Sequence, residues 1–383
     1  MPVSRARGGL LAAALFATAF ALPASLVAQD AEIEEPPIRI SSNENAFGFS
    51  EKALKAMLEN ADRANYYNRD EVAELINVIV DVEGVKGPEW VLPTPGSGPV
   101  LEMTAIAYAD PDKKLITAMP GYPQLVGAWK KFGGGEVVYV PVDEEMKYDF
   151  DAMREAIDED TGIVYICNPN NPTGTLADPM ELRQFVLSVP ADVMVFVDEA
   201  YIELSDSGLE ANSIRPLLGL RKNLILSRTF SKAYGLAGAR AGYGVAHPDV
   251  LDKLRFYDFA RGPNFLSAIA AREALLDQEH MDWAASMYQK ARNMVTGEFE
   301  KMGIAYVPPQ GAFIMFDTGM DAGEFREIMF EKYNIRLSRP FPPYPDEKYN
   351  NWARVSIGSM EEMEAFVEAL KDMKGADTVA MRD

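Results

Sequence analysis

The stretch from Leu224 to Gly244, LILSRTFSKAYGLAGARAGYG, is the part of the chain on which the fold prediction depends most. It opens with an apolar run that ends in Ser227, a pattern typical of a buried strand that delivers side chains to a site. Lys232 follows among small and polar residues, with Arg240 eight residues further on. Desolvation and a neighbouring cation lower the pKa of an ammonium group, which leaves the neutral amine that attacks a carbonyl. On its own the stretch also fits a solvated loop lysine, so the rest of the chain is needed to distinguish a reactive lysine from a solvated one.

The composition of the chain disfavours several kinds of binding site and of protein. The 383 residues are 48% hydrophobic and 25% charged, which is enough for a large core and a second lobe. The net charge of -21 disfavours general binding to nucleic acid or anionic membrane. The single cysteine, Cys167, excludes an internal disulfide and lies in an apolar run, which predicts a core residue rather than a nucleophile. His247 and His280 are isolated from other metal-binding side chains, so no metal site is predicted.

The amino terminus has the pattern of an export signal. Arg5 and Arg7 precede an apolar run over Leu10–Leu22, and Leu26–Ala28 offers a small residue for cleavage. We therefore expect a signal peptide over residues 1–28 and a periplasmic location. The two arginines are not adjacent, so the export route stays open. An uncleaved membrane anchor is the alternative interpretation of the same apolar run.

Strand and helix patterns alternate from Trp90 to Val245, which predicts an α/β fold with helices on both faces of a sheet. Most of the strands are continuous apolar runs, which indicates burial on both faces and mostly parallel order. Ligands are then expected at the carboxyl ends of the strands. The predicted strands are Trp90–Pro93, Lys114–Ala118, Glu136–Val140, Ile163–Cys167, Val193–Val197, Leu224–Ser227 and Gly242–Val245. The helices between them are predicted near Val100–Tyr108, Pro123–Phe132, Phe150–Ile157 and Pro179–Leu187.

The same patterns divide the chain into four segments. After the signal peptide over residues 1–28, an N-terminal arm and helix over 29–64 join a small domain. Ser50 is predicted to cap the helix of this arm. A large domain covers residues 65–290, and a small α+β domain covers 291–383.

Polar residues follow several of the predicted strands. Asp198 ends the run that begins at Val193, and a carboxylate buried there needs a cationic partner. A helix cap is the alternative for this residue. Asn168–Gly174 reads NPNNPTG, in which two prolines and a glycine can hold an asparagine amide at a set distance from a ligand. A rigid turn is the plainer interpretation of the same residues.

Two further turns and an arginine fit an anionic, flat ligand. Pro95–Gly98 contains glycines that allow close approach to a backbone whose amides bind phosphate at a helix start, although many such loops are only turns. Tyr122 follows the next strand and suits either stacking on a flat ring or simple packing. Arg240 suits bidentate contact with phosphate or a structural ion pair. Together with Lys232 and Asp198, these groups are predicted to meet at one edge of the sheet.

From about Ile38 to Asp372, the chain resembles the class I/II pyridoxal-phosphate-dependent aminotransferases of fold type I, and within them the histidinol-phosphate aminotransferase group. Four segments carry the resemblance: Asn168–Gly174, Asp198–Tyr201, Ser231-Lys232 with Arg240, and Arg354–Gly358. The resemblance implies a seven-stranded, mostly parallel sheet in a large domain that binds pyridoxal 5′-phosphate, together with a smaller α+β domain.

The resemblance also implies a role for each matching residue. Lys232 is implied to form a Schiff base with the cofactor and to move the proton, while Asp198 pairs with the ring nitrogen. Asn171 and Tyr201 are implied to contact the phenolic oxygen of the cofactor, and Tyr122 to stack on its ring. The phosphate is implied to be held by Ser97, Gly98, Thr229, Ser231, Arg240 and, from a neighbouring subunit, Tyr67. The last of these implies a homodimer, and Tyr66 is the alternative to Tyr67.

Substrate contacts are implied by position as well. Arg354 is implied to bind the substrate carboxylate, with Asn45 and Arg339 as further substrate-binding candidates. In the histidinol-phosphate group, an arginine before the last strands helps to bind the substrate phosphate, and here Arg336 and Arg339 compete for that place. This ambiguity and the export signal argue against histidinol phosphate as the substrate.

The sequence therefore predicts an exported, dimeric transaminase (EC 2.6.1.-). It would move an amino group from an amino acid or related amine to a 2-oxo acid by a ping-pong mechanism, without nucleic acid and, after signal cleavage, without a membrane. Another reaction with the same cofactor, such as decarboxylation, racemisation or β-elimination by a lyase, is the first alternative. A periplasmic binding protein without catalytic activity is the second.

Overall fold

The computed structural model describes residues 36–67, 69–338 and 349–380, with side chains as far as Lys374. The predicted signal peptide, the start of the predicted arm and Arg339 lie outside the described residues. The strands are β1 Ile38–Ile40, β2 Val91–Thr94, β3 Lys114–Met119, β4 Val137–Pro141, β5 Thr161–Cys167, β6 Met194–Asp198, β7 Leu224–Thr229, β8 Gly242–Ala246, β9 Phe313–Asp317, β10 Ile335–Leu337 and β11 Trp352–Ser356. The α-helices are α1 Glu51–Glu59, α2 Asp70–Glu83, α3 Gly98–Tyr108, α4 Gln124–Lys131, α5 Phe150–Glu155, α6 Pro179–Ser188, α7 Gly208–Asn212, α8 Pro248–Arg255, α9 Phe265–Leu276, α10 Gln278–Met302, α11 Ala322–Tyr333 and α12 Met360–Ala380.

A seven-stranded sheet with the order β2-β8-β7-β6-β5-β3-β4 forms the centre of the fold. Strand β8 runs antiparallel to both of its neighbours, and the other pairs in this sheet are parallel. All seven predicted strands are present, each within two residues of its predicted ends. The predicted fold class, a mostly parallel α/β sheet, is confirmed.

The two faces of the sheet are buried under different helices, because successive side chains of a strand point to opposite faces. In β5, Ile163 and Tyr165 join an apolar cluster with residues of α3, α4 and α8. Val164 and Ile166 join the other cluster, which includes residues of α2, α5, α6 and α9. The continuous apolar pattern of the strands therefore reflects burial on both sides.

The register of the parallel strands brings their carboxyl ends together. Cys167 of β5 lies opposite Asp198 of β6, which in turn lies opposite Ser227 of β7. The segment that contains Lys232 leaves the sheet just after β7, at Thr229. Polar residues that are distant in sequence thus meet at one edge, as parallel strand order requires.

Two small sheets lie outside the central one. Strand β1 of the arm pairs in parallel with β10, and β9 pairs antiparallel with β11. Strands β1 and β10 have three residues each, too short for a periodic signal in the sequence, and neither they nor the short helices α7 and α8 were predicted. Ser50 caps α1 by accepting hydrogen bonds from the amides of Lys52 and Ala53, as predicted. The domain limits stay a prediction.

Within the described ranges, every helix is too short or too polar to cross a membrane.

Candidate active site

A cavity of about 480 Å³ lies at the carboxyl ends of β5, β6 and β7, next to the start of α3. Its walls combine side chains from five or more separate segments of the chain. The predicted site residues among those that line it are Ser97, Gly98, Tyr122, Asn171, Asp198, Tyr201, Thr229, Ser231, Lys232, Arg240 and Arg354. The fold therefore gathers most of the predicted residues around one space.

The remaining predicted residues lie elsewhere. Asn45 is not among the residues that line the cavity. Its Nδ2 donates to the carbonyl oxygen of Ala233 at 2.9 Å, and its Oδ1 accepts from the backbone amide of Phe47 at 2.9 Å. Tyr67 is fully exposed on the surface of the chain. Arg336, the alternative to Arg339, is exposed, lies 5.2 Å from the centre of the Phe330 ring and is not among the residues that line the cavity.

Lys232 projects its amine into this cavity. Its Nζ donates to the carbonyl oxygen of Ser42 at 3.1 Å. Burial lowers the pKa of Lys232 to about 8, and the nearby cations Arg354 and Arg240 add to this effect. The neutral amine, which a nucleophile and proton carrier requires, is therefore much more populated near neutral pH than in an ordinary lysine.

Asp198 is a buried carboxylate at the end of β6. The Ser227 hydroxyl donates to its Oδ1 at 2.8 Å, which favours the ionised form. Burial nevertheless raises the pKa of Asp198 to about 6. An ionised carboxylate at such a depth is costly unless a cation pairs with it. A ligand with a protonated ring nitrogen would supply that cation.

Tyr201, Asn171 and Arg354 form a hydrogen-bonded group on another wall. Arg354 Nη1 donates to Asn171 Oδ1 at 2.6 Å, and Asn171 Nδ2 faces the Tyr201 hydroxyl at 3.5 Å. Burial raises the pKa of Tyr201 above that of an ordinary tyrosine, so the phenol keeps its proton. This wall offers hydrogen-bond donors to an anionic ligand oxygen and a guanidinium to a carboxylate.

The start of α3 and the segment after β7 both line the cavity, and Arg240 contacts each of them. Gly96 has a φ of +86°, and a Cβ there would collide with the guanidinium of Arg240. Arg240 Nη1 also donates to Ser231 Oγ at 3.1 Å. Ser97 precedes the helix without using its hydroxyl as a cap, and Thr229 lines the same cavity. Helix amides, hydroxyls and one guanidinium are the donor set that phosphate prefers.

A buried charge cluster lies on the opposite side of β7 from Ser227. Arg228 contacts Glu199 at 2.9 Å, Glu83 at 3.1 Å and Glu203 at 3.5 Å. The Tyr243 hydroxyl also donates to Glu83 at 2.6 Å. Burial raises the pKa of Glu203 to about 7, and the charge of Arg228 opposes this shift. The cluster connects α2, the end of β6 and β7 directly behind the cavity.

Sequence reasoning missed several residues of the site. Ser42, Asn43, Glu44 and Gln124 also line the cavity. Asn43 has a φ of +53° in the left-handed region, which asparagine tolerates better than most residues. The sequence analysis named Asn45 of this loop as a substrate-binding candidate, whereas Asn43 is the asparagine that lines the cavity.

Comparison with known proteins identifies the family. Residues 35–370 match the family model for aminotransferase class I and II. The chain belongs to the class I and II aminotransferases. It is 33% identical over 337 residues to the histidinol-phosphate aminotransferase of Moorella thermoacetica, a match that covers 88% of this chain and 85% of that protein. It is 34% identical over 349 residues to histidinol-phosphate aminotransferase 1 of Idiomarina loihiensis, with coverage of 88% and 90%.

The structural comparison agrees with this assignment. The histidinol-phosphate aminotransferase of Sinorhizobium meliloti, solved in complex with pyridoxal-5′-phosphate, superposes with a TM-score of 0.80 at 24% identity. The match covers 88% of this chain and 92% of that one, and it shows that the fold is shared. As a class I and II aminotransferase, the chain is an enzyme that depends on pyridoxal phosphate. The predicted fold type, enzyme class and cofactor are confirmed.

Proposed function

We propose that this aminotransferase exchanges amino groups between an α-amino acid and a 2-oxo acid, with Lys232 as the residue that holds the cofactor and moves the proton. The observation that carries this role is the amine of Lys232 with a pKa of about 8, in the same cavity as Asp198, Arg240 and Arg354. Bound pyridoxal phosphate supplies a carbonyl for the amino group and a ring that draws electrons from the carbon that loses its proton.

The other residues orient and balance charge around this lysine. Asp198 would hold the positive ring nitrogen, and its burial would strengthen that ion pair. Asn171 and Tyr201 would donate to the phenolic oxygen of the cofactor. The start of α3 and Arg240 would bind the phosphate, and Tyr122, which also lines the cavity, would pack its ring against the cofactor. Lys232 takes the proton from the substrate carbon as a neutral amine and returns it as an ammonium.

Arg354 selects an anionic group on the substrate. Its guanidinium reaches the cavity and already holds Asn171, which fixes its direction. A 2-oxo acid acceptor carries a carboxylate, for which a guanidinium is a geometric match. Histidinol phosphate is the second candidate substrate, because relatives 33% and 34% identical to this chain carry that name and a guanidinium also binds phosphate.

A homodimer completes the site in this proposal. Tyr67 and Tyr66 are exposed on one loop, and Phe256 and Phe259 are 80% and 88% exposed at a second cavity of about 620 Å³ beside β2. Apolar side chains that stand out of a surface in this way mark an interaction site. A second copy would cover them and bring its own Tyr67 to the cofactor phosphate.

Export to the periplasm remains part of the proposal and is supported by the sequence pattern of residues 1–28. Cell fractionation followed by amino-terminal sequencing of the full-length product tests it. We expect the mature protein in the periplasmic fraction, starting near Gln29. A cytoplasmic product that still carries the first residues would refute this part alone.

The reaction is tested by absorption spectroscopy of the holoenzyme with single amino acids and no 2-oxo acid. We expect some donors to convert the band of bound cofactor to that of its aminated form, with one equivalent of 2-oxo acid released. Lys232→Ala should abolish this conversion, whereas Lys222→Ala, a change of an exposed lysine paired with Asp249, should not alter it. Loss of carbon dioxide, or racemised donor without 2-oxo acid, would contradict transamination.

A further inference from the structure

We propose that Asn43 and Ser356 are positioning residues that direct the hydroxyl proton of Tyr201 into the cofactor cavity. The inference rests on the proposed role of Tyr201 and deepens it. Asn43 lies in the loop after β1, whereas Ser356 is the last residue of β11. Their separation of 313 residues hides the relation in the sequence.

The first step concerns the direction of the Ser356 hydroxyl. The backbone amide of Asn43 donates to Ser356 Oγ at 2.8 Å. A backbone N–H can only donate, so the Ser356 oxygen is the acceptor in this contact and keeps its own proton for another group. That proton goes to Asn43 Oδ1 at 2.7 Å. Each residue is 2% exposed, so water does not compete for these bonds.

The second step fixes the amide of Asn43. With Oδ1 turned to Ser356, the amide nitrogen Nδ2 faces the Tyr201 hydroxyl oxygen at 3.0 Å and donates to it. The reverse orientation would place two donors against Ser356 Oγ and leave its proton without an acceptor. A buried polar hydrogen without a partner is costly, so the orientation with Oδ1 toward Ser356 is favoured.

The third step concerns Tyr201 itself. Asn171 is held by Arg354 through Oδ1, so its Nδ2 also faces the Tyr201 oxygen, at 3.5 Å. Both amides that approach the phenol oxygen are donors, and the phenol has a single proton. The proton therefore cannot serve either asparagine and points to the cavity that Tyr201 lines.

Strand β11 thus serves two functions. Arg354 and Ser356 are two residues apart and so lie on the same face of the strand. Arg354 orients Asn171, and Ser356 orients Asn43, so one strand sets both amide donors on Tyr201. A phenol prepared in this way donates to the phenolic oxygen of the cofactor without first having to break a competing hydrogen bond.

The test measures the pKa of the pH-dependent absorption change of bound pyridoxal phosphate in four holoenzymes: wild type, Asn43→Asp, Tyr201→Phe and the double variant. A hydrogen bond from Tyr201 stabilises the unprotonated, more negative ring oxygen, so its loss should raise this pKa. A carboxylate at position 43 only accepts and draws the Tyr201 proton away. A charge-assisted hydrogen bond is worth about 1.5–3 kcal/mol, which corresponds to an upward shift of about one to two pH units.

Three results decide the matter. We expect Asn43→Asp and Tyr201→Phe each to raise the pKa and the double variant to raise it by clearly less than the sum of the two, since only the charge of the new carboxylate still acts once the phenol hydroxyl is absent. A shift in Tyr201→Phe with none in Asn43→Asp, or additive shifts in the double variant, would overturn the inference alone. No shift in Tyr201→Phe would overturn the proposed role of Tyr201 and the inference with it.

Further variants distinguish a change in the direction of the Tyr201 hydroxyl from a nonspecific loosening of the structure. Ser356→Ala should shift the pKa in the same direction by a smaller amount, and Ser356→Thr, which keeps the hydroxyl, should restore the wild-type value. Asn212→Ala removes another buried asparagine, one that bonds Gly208 at 2.6 Å and Ser207 at 2.7 Å outside the cavity. It should leave the pKa unchanged even if it lowers stability. A shift of equal size in Asn212→Ala would show that the pKa reports only general loosening, and would refute the inference.

Discussion

Lys232 and Asp198 show at the scale of single residues how burial prepares the site. Desolvation moves both pKa values toward neutrality, that of the lysine down to about 8 and that of the aspartate up to about 6. In each case burial favours the neutral form of the side chain, because the cavity wall replaces the water that would solvate its charged form. The neutral amine of Lys232 can react with the carbonyl of a cofactor. The buried carboxyl group of Asp198 can share a proton with a basic ring nitrogen of that cofactor.

The rate at which the cofactor-free protein takes up pyridoxal phosphate should depend on the ionisation of Lys232. The lowered pKa means that the reactive neutral amine is lost as pH falls below about 8, so the rate should rise with pH to a plateau with its midpoint there. Stopped-flow absorption across pH 6–10 would measure it. A midpoint near 10.5, the ordinary value for lysine, would contradict the assignment.

A variant of Arg354 and a matched control test whether the charge of Arg354 helps to set the pH midpoint of cofactor uptake. Arg354 is the charged group that contributes most to the lowered pKa of Lys232 after burial. Arg354→Met should therefore raise the midpoint, whereas Arg154→Met, which removes an exposed pair with Asp151 on helix α5, should leave it unaltered.

At the scale of secondary structure elements, the side chains of β7 alternate between two sides of the sheet. One side faces the cavity, and the other faces the buried charge cluster. Ser227 and Thr229 face the cavity side, and Arg228 between them enters the charge cluster with Glu199 and Glu203. Glu199 and Glu203 flank Tyr201 in the chain, so the same cluster anchors the segment that carries this tyrosine. The cluster thereby holds the ends of β6 and β7 in the positions that the site needs.

Arg228→Met should lower the free energy of unfolding by roughly 3–5 kcal/mol, because it leaves buried carboxylates without their cation. Chemical denaturation of the cofactor-free protein near pH 8 would measure the change. Arg154→Met, which removes an exposed pair with Asp151, is the control and should cost less than about 1 kcal/mol. A loss in Arg228→Met no larger than in this control would mean that the cluster contributes little to stability.

At the scale of the whole molecule, the proposed dimer makes one site depend on two chains. Phe259→Asp places a charge in the exposed apolar surface beside β2, where Phe259 is 88% exposed. We expect sedimentation velocity at micromolar concentration to show a monomer and the affinity for pyridoxal phosphate to fall, because Tyr67 of the partner no longer reaches the phosphate.

Leu220→Asp is the control for this experiment, since Leu220 is also strongly exposed, at 74%, but lies just before β7, at the end of the strand remote from the cavity. It should stay dimeric. A wild-type protein that sediments as a monomer, or a Phe259→Asp variant that remains a dimer, would refute the proposed interface.

The sequence by itself determined the central sheet, the family and the cofactor. Continuous apolar runs define buried strands locally, and motifs such as Asn168–Gly174 and Ser231-Lys232 lie within single turns of chain. Parallel order then brings strand ends together, which is why most of the predicted residues line one cavity. These features depend on neighbours in the chain, so a pattern of neighbours can reveal them.

Only the tertiary structure decided the rest. The antiparallel direction of β8, the pairing of β1 with β10, and the choice of Asn43 rather than Asn45 for the cavity all depend on contacts between segments far apart in sequence. A hydrogen bond between Asn43 and Ser356 leaves no local signal, because neither residue type nor spacing distinguishes it from a surface polar group. Its direction follows from the donors and acceptors that folding brings together in a buried place.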